Sequence, residues 1–340
     1  MTINIISNQA RKNKIRGPKK VFDNTIIGLN MLGVKCVYNQ PLEKYDYNWI
    51  QDSQTALIQA SLISKACILG PNLAVFPSDL PFLRKKINPS SVFLFPSNWP
   101  LNVWQSLNFK ECTLRVWPSG INTSIFQSNN KIKKEKVLLY FKNRDPEILK
   151  FIIKILNKNN YDFILFEYGN YNESDYIEAI HKSKFGIWVG SSESQGYAIL
   201  EALSCGLPLL VLDVLCIEDV FSINGKLMFS KKNRLKFKNI NVTSVPYFNE
   251  KCGIVIENID EFENSLIHMN INYKKFDPRS YILDNFSLKY SANNLLKFFS
   301  HLETSSKMPK FNFYYASYCI YYFQLIFKLS SWKRLILKLL

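Results

Sequence analysis

Two glutamates, Glu193 and Glu201, lie on either side of a glycine in the segment SSESQGYAILEALSCGLPLLVLD, residues 191–213. Their separation of eight positions is a little over two helical turns at about 3.6 residues per turn. The pattern predicts a polar loop after a buried strand ending at Val189, followed by a helix over Gly196–Ser204. Both carboxylates can then face the same side, one at the mouth of the helix and one within it.

The start of this helix suits oxygen ligands. Backbone amides at a helix N-terminus are unpaired and carry partial positive charge, so they can hold phosphate or sugar oxygens. Gly196 lets a ligand approach the backbone closely because it has no side chain. An isolated pair of glutamates is more typical of a solvated helix start with an acidic cap.

The elements that must position these residues follow an alternating pattern. Short apolar runs separated by segments of helical period predict parallel strands joined by crossover helices, which is an α/β architecture. The predicted strands of the first third are Ile3–Ile6, Val34–Tyr38, Ala66–Leu69, Val92–Phe95 and Thr113–Trp117, with a helix over Val21–Leu32. The predicted strands of the second series are Val137–Phe141, Phe163–Phe166, Phe185–Val189, Leu209–Leu212 and Gly253–Ile256, with helices at Pro146–Leu156, Ser174–Ser183 and Gly196–Ser204.

A polar stretch separates the two series. Residues 118–136 are rich in Ser, Asn and Lys and contain Gly120, which is typical of a domain junction. Two sheets in one chain suggest a ligand held between them. Ligands of open parallel sheets lie beyond the carboxyl ends of the strands, so the informative residues should follow directly after strands.

The composition sets broader limits. The chain has 340 residues, of which 47% are hydrophobic, enough for two domain cores. Its 43 Lys and Arg against 27 Asp and Glu give a formal charge of +16, so we expect an anionic partner, with nucleic acid, a nucleoside diphosphate and an anionic membrane surface all compatible. Seven scattered cysteines without a CxxC pair indicate reduced thiols. The polar stretch soon after Met1 argues against a secretory signal, so a cytoplasmic location is expected.

The string around the glutamates resembles the E-x7-E signature of retaining glycosyltransferase family 4, whose members have the two-domain GT-B fold. The residues in register are Glu193, Gly196, Glu201, Ala202, Gly206 and Pro208. The resemblance implies that Glu193 binds hydroxyls of a donor sugar and that Glu201 binds the ribose of the nucleotide. It also implies that the sugar and phosphate are held by the backbone around the helix start, formed by Ser194, Gln195, Gly196 and Tyr197.

Other segments agree with this resemblance in order and spacing. They are residues 115–126, 136–149, 245–262 and 276–299, which resemble the interdomain crossing, the first strand of the nucleotide domain, a late loop of that domain and the closing helices. The loop after the strand in 136–149 carries Lys142 and Arg144, and cations there would stabilise the charge on a departing diphosphate without a metal. In so basic a chain, a solvated loop is an almost equal alternative. Gly17, in Gly17–Lys20, weakly matches the loop near the diphosphate.

The sequence also departs from the family. Members often carry a histidine near the donor sugar in the amino domain, but His181, His268 and His301 all lie in the second half. The loop Gly70–Asn72 takes that place, so a backbone amide or Asn72 would replace the imidazole. The amino domain is short, and the acceptor cannot be carried over. The chain has no Asp-x-Asp at a strand end, no zinc spacing and no Walker string, so metal dependence is not indicated.

The fold predicted from these observations is GT-B, with two Rossmann-like parallel-sheet domains facing a cleft and C-terminal closing helices. The predicted divisions are an amino, acceptor-side domain at 1–118, a nucleotide-sugar domain at 119–285, a helix crossing back at 286–306 and a basic aromatic tail at 307–340. The tail has no acid, six Lys or Arg and ten aromatic residues. This composition is typical of a peripheral segment at an anionic membrane surface, and a helix packing over the two domains is an equal alternative.

The function implied is metal-independent transfer of a sugar from a nucleoside-diphosphate sugar, the only co-substrate expected, to a glycan or lipid-linked acceptor with retention of configuration. A basic protein that meets lipid-linked glycans favours bacterial surface polysaccharide synthesis. One alternative is a catalytically silent GT-B subunit that only binds. A nucleic-acid-binding protein is a weaker alternative, because the aromatic residues lie in apolar runs and no nucleic-acid module is recognisable.

Overall fold

The computed structural model describes residues 1–12, 17–80, 87–129, 131–217, 220 and 229–302. Within these residues the strands form two sheets, and every strand pairing in both sheets is parallel. Helices pack on the sheets, so the α/β class predicted from the sequence is confirmed. The basic aromatic tail at 307–340 lies outside the described residues.

The amino-terminal sheet has the strand order β2-β1-β3-β4-β5-β6. Its strands are β1 (Thr2–Ile6), β2 (Lys35–Tyr38), β3 (Tyr47–Ile50), β4 (Ile68–Leu69), β5 (Val92–Phe95) and β6 (Thr113–Val116). Its helices are α1 (Gly17–Met31), α2 (Gln54–Leu62) and α3 (Asn98–Gln105). Five of these strands coincide with the apolar runs of the sequence to within a few residues.

Strand β3 is absent from the sequence-based prediction. Its sequence YNWI contains Asn48, a residue type that is depleted in strands. In the structure Asn48 is fully buried and accepts a hydrogen bond from Nδ2 of Asn4 in β1 at 2.9 Å. Nδ2 of Asn48 donates to the carbonyl of Tyr45 at 2.7 Å. The strand therefore depends on a paired polar contact between neighbouring strands, which apolar periodicity does not reveal.

The carboxyl-terminal sheet has the order β11-β10-β9-β7-β8. Its strands are β7 (Lys136–Phe141), β8 (Phe163–Glu167), β9 (Ser183–Val189), β10 (Leu209–Leu212) and β11 (Gly253–Ile256). The helices that follow β6 along the chain are α4 (Pro146–Lys158), α5 (Glu173–Lys182), α6 (Tyr197–Ser204), α7 (Lys231–Lys236), α8 (Phe262–Asn272), α9 (Pro278–Phe286) and α10 (Leu288–Phe299). Among the residues described, no helix is both long and apolar enough to cross a bilayer.

The last helix returns to the amino-terminal sheet. Ala292, Leu295 and Phe299 of α10 belong to the same buried cluster as Ile3 and Ile5 of β1. α10 packs against α1, and the two helices approach closely because α1 has a glycine at their contact. A Cβ atom at Gly28 would lie 2.5 Å from the backbone oxygen of Leu288. The closing helix predicted from the sequence thus completes the core of the amino-terminal sheet.

The close helix contact makes a stability prediction. Gly28→Ala should destabilise the protein by about 1–3 kcal/mol, because overpacking forces α1 and α10 apart. The sign is informative, since Gly→Ala inside an exposed helix normally stabilises by up to about 1 kcal/mol. Chemical denaturation measures the change, with Asn30→Ala on the exposed side of α1 as the matched control. A Gly28→Ala protein that is as stable as the wild type would contradict the close packing of the two helices.

Candidate functional site

The two sheets meet along a set of polar contacts that surround α6. Nε1 of Trp99 in α3 donates to the backbone oxygen of Glu193 at 2.8 Å. The hydroxyl of Tyr247 donates to the backbone oxygen of Pro96, which follows β5. Lys20 of α1 reaches Glu201 of α6. Two of these contacts, from Trp99 and Lys20, reach the loop and helix that carry the two glutamates.

Two glycines give the segment around α6 its shape. The loop after β9 ends at Gly196, which caps the N-terminus of α6 with φ of 80°. The helix is followed by Gly206 with φ of 78°, and the chain then enters β10. Both backbone conformations are left-handed, which side chains other than glycine adopt at a cost. Glu193 therefore lies in the loop before the helix, and Glu201 lies in its second turn, as the sequence predicts.

Glu193 is paired with Lys142. Its Oε1 accepts a hydrogen bond from Nζ of Lys142 at 2.5 Å, and its side chain is 15% exposed. Nζ of Lys142 also lies 4.3 Å from the ring centroid of Tyr168. The strand ends after β7, β8 and β9 thus place a cation, an aromatic face and a carboxylate together. These are groups that can bind phosphate, a nucleobase and sugar hydroxyls.

Glu201 is buried, with 3% of the residue exposed. Burial raises the pKa of its carboxyl from 4.5 to about 7, with Lys20 opposing and Glu173 adding to the rise. Nζ of Lys20 binds Glu201 and also lies 2.6 Å from Oε2 of Glu173 at the start of α5. Burial lowers the pKa of Lys20, but the two carboxylates outweigh burial and raise it overall. A single ammonium group from the amino-terminal sheet therefore serves two carboxylates of the other sheet.

Lys20 is a residue of the site that the sequence-based prediction missed. The sequence match at Gly17–Lys20 includes this lysine but assigns donor binding to Gly17 alone, which is the exposed first residue of α1. The signal in the sequence is electrostatic. Lys19 and Lys20 lie near the N-terminus of a 15-residue helix with no acid in its first turn, where the helix dipole disfavours cations. Such a cost indicates that the cation has a specific partner, which is Glu201.

Arg144 differs from Lys142 in its surroundings. It is 8% exposed, and its Nη1 donates to the backbone oxygens of Gly190, Leu212 and Asp213 at 3.1, 3.3 and 3.0 Å. These carbonyls follow or end strands β9 and β10. The sequence predicted that Arg144 faces a diphosphate, and its burial favours a role in holding strand ends. Lys142 is the cation of this pair that lies beside a candidate ligand-binding carboxylate.

The remaining predicted residues lie at the helix start. Gln195 is buried, and its side chain forms two hydrogen bonds with the backbone of Ser119: the amide N–H of Ser119 donates to Oε1 at 3.0 Å, and Nε2 donates to the carbonyl at 2.6 Å. The side chain of Gln195 thus links the start of α6 to the interdomain segment. Because both of its polar atoms are used there, a ligand would contact the backbone of Gln195. Ser194 and Tyr197 flank Gln195 and Gly196, and both are partly exposed. Burial raises the pKa of the Tyr197 hydroxyl.

Several buried polar atoms near the strand ends have no hydrogen-bond partner within the described part of the chain. They are Gln51 Oε1, Asn72 Nδ2 and Ser97 Oγ after strands β3, β4 and β5, and Asn143 Oδ1 and Ser192 Oγ after strands β7 and β9. Unsatisfied polar groups cost stability and are few in folded proteins, so a cluster of them is typical of a functional region. Their positions include Asn72, which the sequence placed where the family often has a histidine.

A cluster of aromatic side chains from β7, β9 and the segment around α5 packs next to α6. Tyr140 of β7 stacks on Trp188 of β9 with ring centroids 3.9 Å apart. The hydroxyl of Tyr176 in α5 donates to the backbone oxygen of Ala198 at 2.6 Å. The hydroxyl of Tyr171 donates to that of Tyr140 at 3.2 Å, and burial raises the pKa of Tyr171 to about 12. These rings remain neutral at ordinary pH and fix the position of the helix that carries Glu201.

No group of three or more His, Cys, Asp or Glu side chains in the described ranges has the geometry to hold a metal ion. The charged groups that define the candidate site are two lysine–glutamate pairs, Lys142 with Glu193 and Lys20 with Glu201.

Comparison with known proteins identifies the fold. The chain is similar to the sucrose-phosphate synthase of Thermosynechococcus elongatus, with a TM-score of 0.57 and 11% identity over 88% of this chain and 98% of that chain. It is also similar to the apo form of the lipopolysaccharide outer core galactosyltransferase WaaB, with a TM-score of 0.53 and 9% identity over 88% and 99%.

A third similar structure is the catalytic domain of starch synthase IV from Arabidopsis thaliana bound to ADP and acarbose, with a TM-score of 0.53 and 11% identity over 88% of this chain and 98% of that chain. No protein-family model matches the sequence, and no curated protein matches it. The likeness at this level of identity shows the fold alone. The chain has the GT-B fold, as the sequence predicted.

The burial of Glu201 predicts how stability depends on pH. The pKa of its carboxyl rises from 4.5 in the unfolded chain to about 7 in the folded chain, so the folded state keeps a proton that the unfolded state has released. Stability from this group is present below pH 4.5 and is lost as the pH rises towards 7. The cost is on the order of 3 kcal/mol above pH 7. Glu201→Gln should abolish it, because glutamine does not titrate.

Urea denaturation at several pH values between 5 and 8 tests this prediction. The difference in the free energy of unfolding, Glu201→Gln minus wild type, should increase as the pH rises, because only the wild type loses stability. Glu43→Gln, which changes an exposed carboxylate, is the control and should run parallel to the wild type. Parallel curves for Glu201→Gln and the wild type would show that Glu201 titrates normally.

Proposed function

We propose that the protein is a glycosyltransferase that binds a nucleoside-diphosphate sugar in the cleft between its two sheets. The observation that carries the proposal is the pair of carboxylates at the two ends of the α6 segment, each bound to a lysine. In this proposal Glu193 binds hydroxyls of the donor sugar, and Glu201 binds the ribose. The backbone of Ser194, Gln195, Gly196 and Tyr197 binds the sugar and phosphate between them.

The charges of the site support this assignment. A nucleoside-diphosphate sugar is anionic at its diphosphate and rich in hydroxyls on both sides of it. Lys142 and Lys20 supply the cations, and Glu193 and Glu201 are strong acceptors for hydroxyl donors. The diphosphate, the sugar and the ribose of such a donor thus each have a partner of matching chemistry.

The proposed reaction retains the configuration of the sugar and uses no metal. The bond between the anomeric carbon and the diphosphate oxygen breaks, and a bond to the acceptor oxygen forms on the same face. The proton of the acceptor hydroxyl passes to an oxygen of the leaving diphosphate. Lys142 stabilises the negative charge that develops on the diphosphate in the transition state. Arg144 supports this arrangement through the strand-end carbonyls that it binds.

The proposed acceptor is a glycan or a lipid-linked glycan in bacterial surface polysaccharide synthesis. The charge of +16 favours an anionic membrane surface, where lipid-linked acceptors are found. The fold is shared with WaaB, which is described as a lipopolysaccharide outer core galactosyltransferase. We propose a cytoplasmic protein that associates peripherally with the membrane through residues 307–340.

A panel of nucleotide sugars tests the function. UDP-glucose, UDP-N-acetylglucosamine, GDP-mannose and ADP-glucose are each incubated with the protein, and thermal shift reports binding. Release of the free nucleoside diphosphate in the presence of an acceptor extract reports transfer. One donor should stabilise the wild type and be turned over. Glu193→Gln should lower kcat/KM for that donor by about 10–100-fold, because it loses a charge-assisted hydrogen bond to the sugar.

Glu43→Gln is the control and should keep full activity. Thermal stabilisation by a donor without sugar transfer would contradict the proposed enzymatic activity and favour a catalytically silent binding subunit. The absence of any donor-dependent stabilisation across the panel would contradict the donor site itself. Undiminished transfer by a folded Glu193→Gln protein would contradict the role of Glu193.

A further inference from the structure

The loop that carries Glu193 is fixed at both ends by hydrogen bonds to its backbone groups. The backbone oxygen of Gly190 accepts from Nη1 of Arg144 at 3.1 Å. The backbone N–H of Glu193 donates to the backbone oxygen of Thr243 at 2.9 Å. Residues 190–193 therefore depend on two partners that are distant in sequence. The residues that hold Thr243 in place therefore help to set the position of the Glu193 backbone.

Thr243 is held by Asp213, the first residue after β10. Oδ2 of Asp213 accepts from Oγ1 of Thr243 at 2.7 Å. Oδ1 of Asp213 accepts from the backbone N–H and the hydroxyl of Ser244 at 2.6 and 2.7 Å, and from the backbone N–H of Val214 at 2.8 Å. The carboxylate thus fastens the segment 243–244 to the end of the strand next to β9.

The carboxylate of Asp213 is largely occupied by contacts within the protein. A carboxylate has about four lone-pair sites for hydrogen bonds, and Asp213 accepts four bonds from residues in the described ranges. Three of these bonds are at Oδ1 and one is at Oδ2, so most of its acceptor capacity is used within the protein. The backbone oxygen of Asp213 also accepts from Arg144 at 3.0 Å. The same residue therefore connects both anchors of the loop.

We propose that Asp213 is the positioning residue for Glu193: through Thr243 at one anchor and Arg144 at the other, it holds the carboxylate of Glu193 where the sugar of the donor binds. The inference rests on the proposed function for the identity of the ligand. It assigns no contact between Asp213 and the donor. The role extends to the sugar end of the site only, because Glu201 is held separately by α6 and Lys20.

Hydrogen exchange measures the proposed role without a ligand. Asp213→Asn keeps the shape of the side chain but replaces the acceptor that faces Thr243 with a donor. Thr243→Val removes the hydroxyl and keeps the backbone oxygen. Each variant should speed amide exchange in a peptide covering residues 190–196 by about 5-fold or more. Asp284→Asn, which removes an exposed carboxylate of α9, is the control and should leave that peptide unchanged.

A double-mutant cycle tests whether the effect runs through Thr243. If Asp213 acts on Glu193 through this residue, the double variant Asp213→Asn/Thr243→Val should exchange about as fast as the faster single variant. Independent roles would give additive effects. Unchanged exchange in both single variants, or fully additive effects, would overturn the proposal, and either result stands whether or not the protein uses a nucleotide sugar.

Binding separates positioning from general structural damage. For the donor that stabilises the wild type, the dissociation constants of the nucleotide sugar and its free nucleoside diphosphate are measured by calorimetry. Asp213→Asn should weaken binding of the nucleotide sugar by about 5-fold or more relative to binding of the nucleoside diphosphate, because only the sugar contacts Glu193. An equal loss of affinity for both ligands would overturn the positioning role of Asp213. A wild type that binds no member of the panel would refute the proposed function, and the exchange results would still decide whether Asp213 holds the loop.

Discussion

The pairing of two glutamates with two lysines from different parts of the chain is the constraint around which the site is arranged. A carboxylate as buried as Glu201 is costly without a partner, and the partner here comes from the opposite sheet. Because Lys20 reaches Glu201 from the first turn of α1, the two sheets must approach closely at this point. Glu193 is paired within its own sheet, by Lys142 at the end of β7. The two ends of the site thus have different supports.

This difference follows from how each glutamate is held. The backbone of Glu193 is tied by Thr243, and its side chain is tied by Lys142, which are both residues of the carboxyl-terminal half. From the amino-terminal half, Nε1 of Trp99 in α3 donates to its backbone oxygen. Glu201 is fixed in position by α6, but its charge depends on a lysine of the other sheet.

The sequence predicted the parts of this site that are local. The glycines at 196 and 206, the apolar run before the loop and the one after α6 specify a strand, a loop, a short helix and a strand, and the structure contains all four. These features depend on backbone conformation and on periodicity within one segment. They can therefore be predicted from the sequence of that segment alone. The same is true of most strands of both sheets, which appear as uninterrupted apolar runs.

The parts that the sequence did not reveal depend on contacts between distant segments. Strand β3 is specified by the pairing of Asn48 with Asn4, which lies 44 positions earlier. Lys20 has the same residue type as many exposed lysines of the chain, and only its partners distinguish it. Arg144 resembles Lys142 in the sequence, but it lies among backbone carbonyls. Spacing along one segment cannot encode a partner on another.

The separate supports of the two glutamates also bear on how the cleft can open. If the sheets move apart, Glu201 loses Lys20, while Glu193 keeps Lys142 and Thr243. Opening would therefore separate the ammonium of Lys20 from the carboxylates of Glu201 and Glu173, while the pair of Glu193 with Lys142 stays intact. Under the proposed function, the part of the site that binds the sugar would stay formed in an open cleft. Closure of the cleft would then complete the part that binds the ribose.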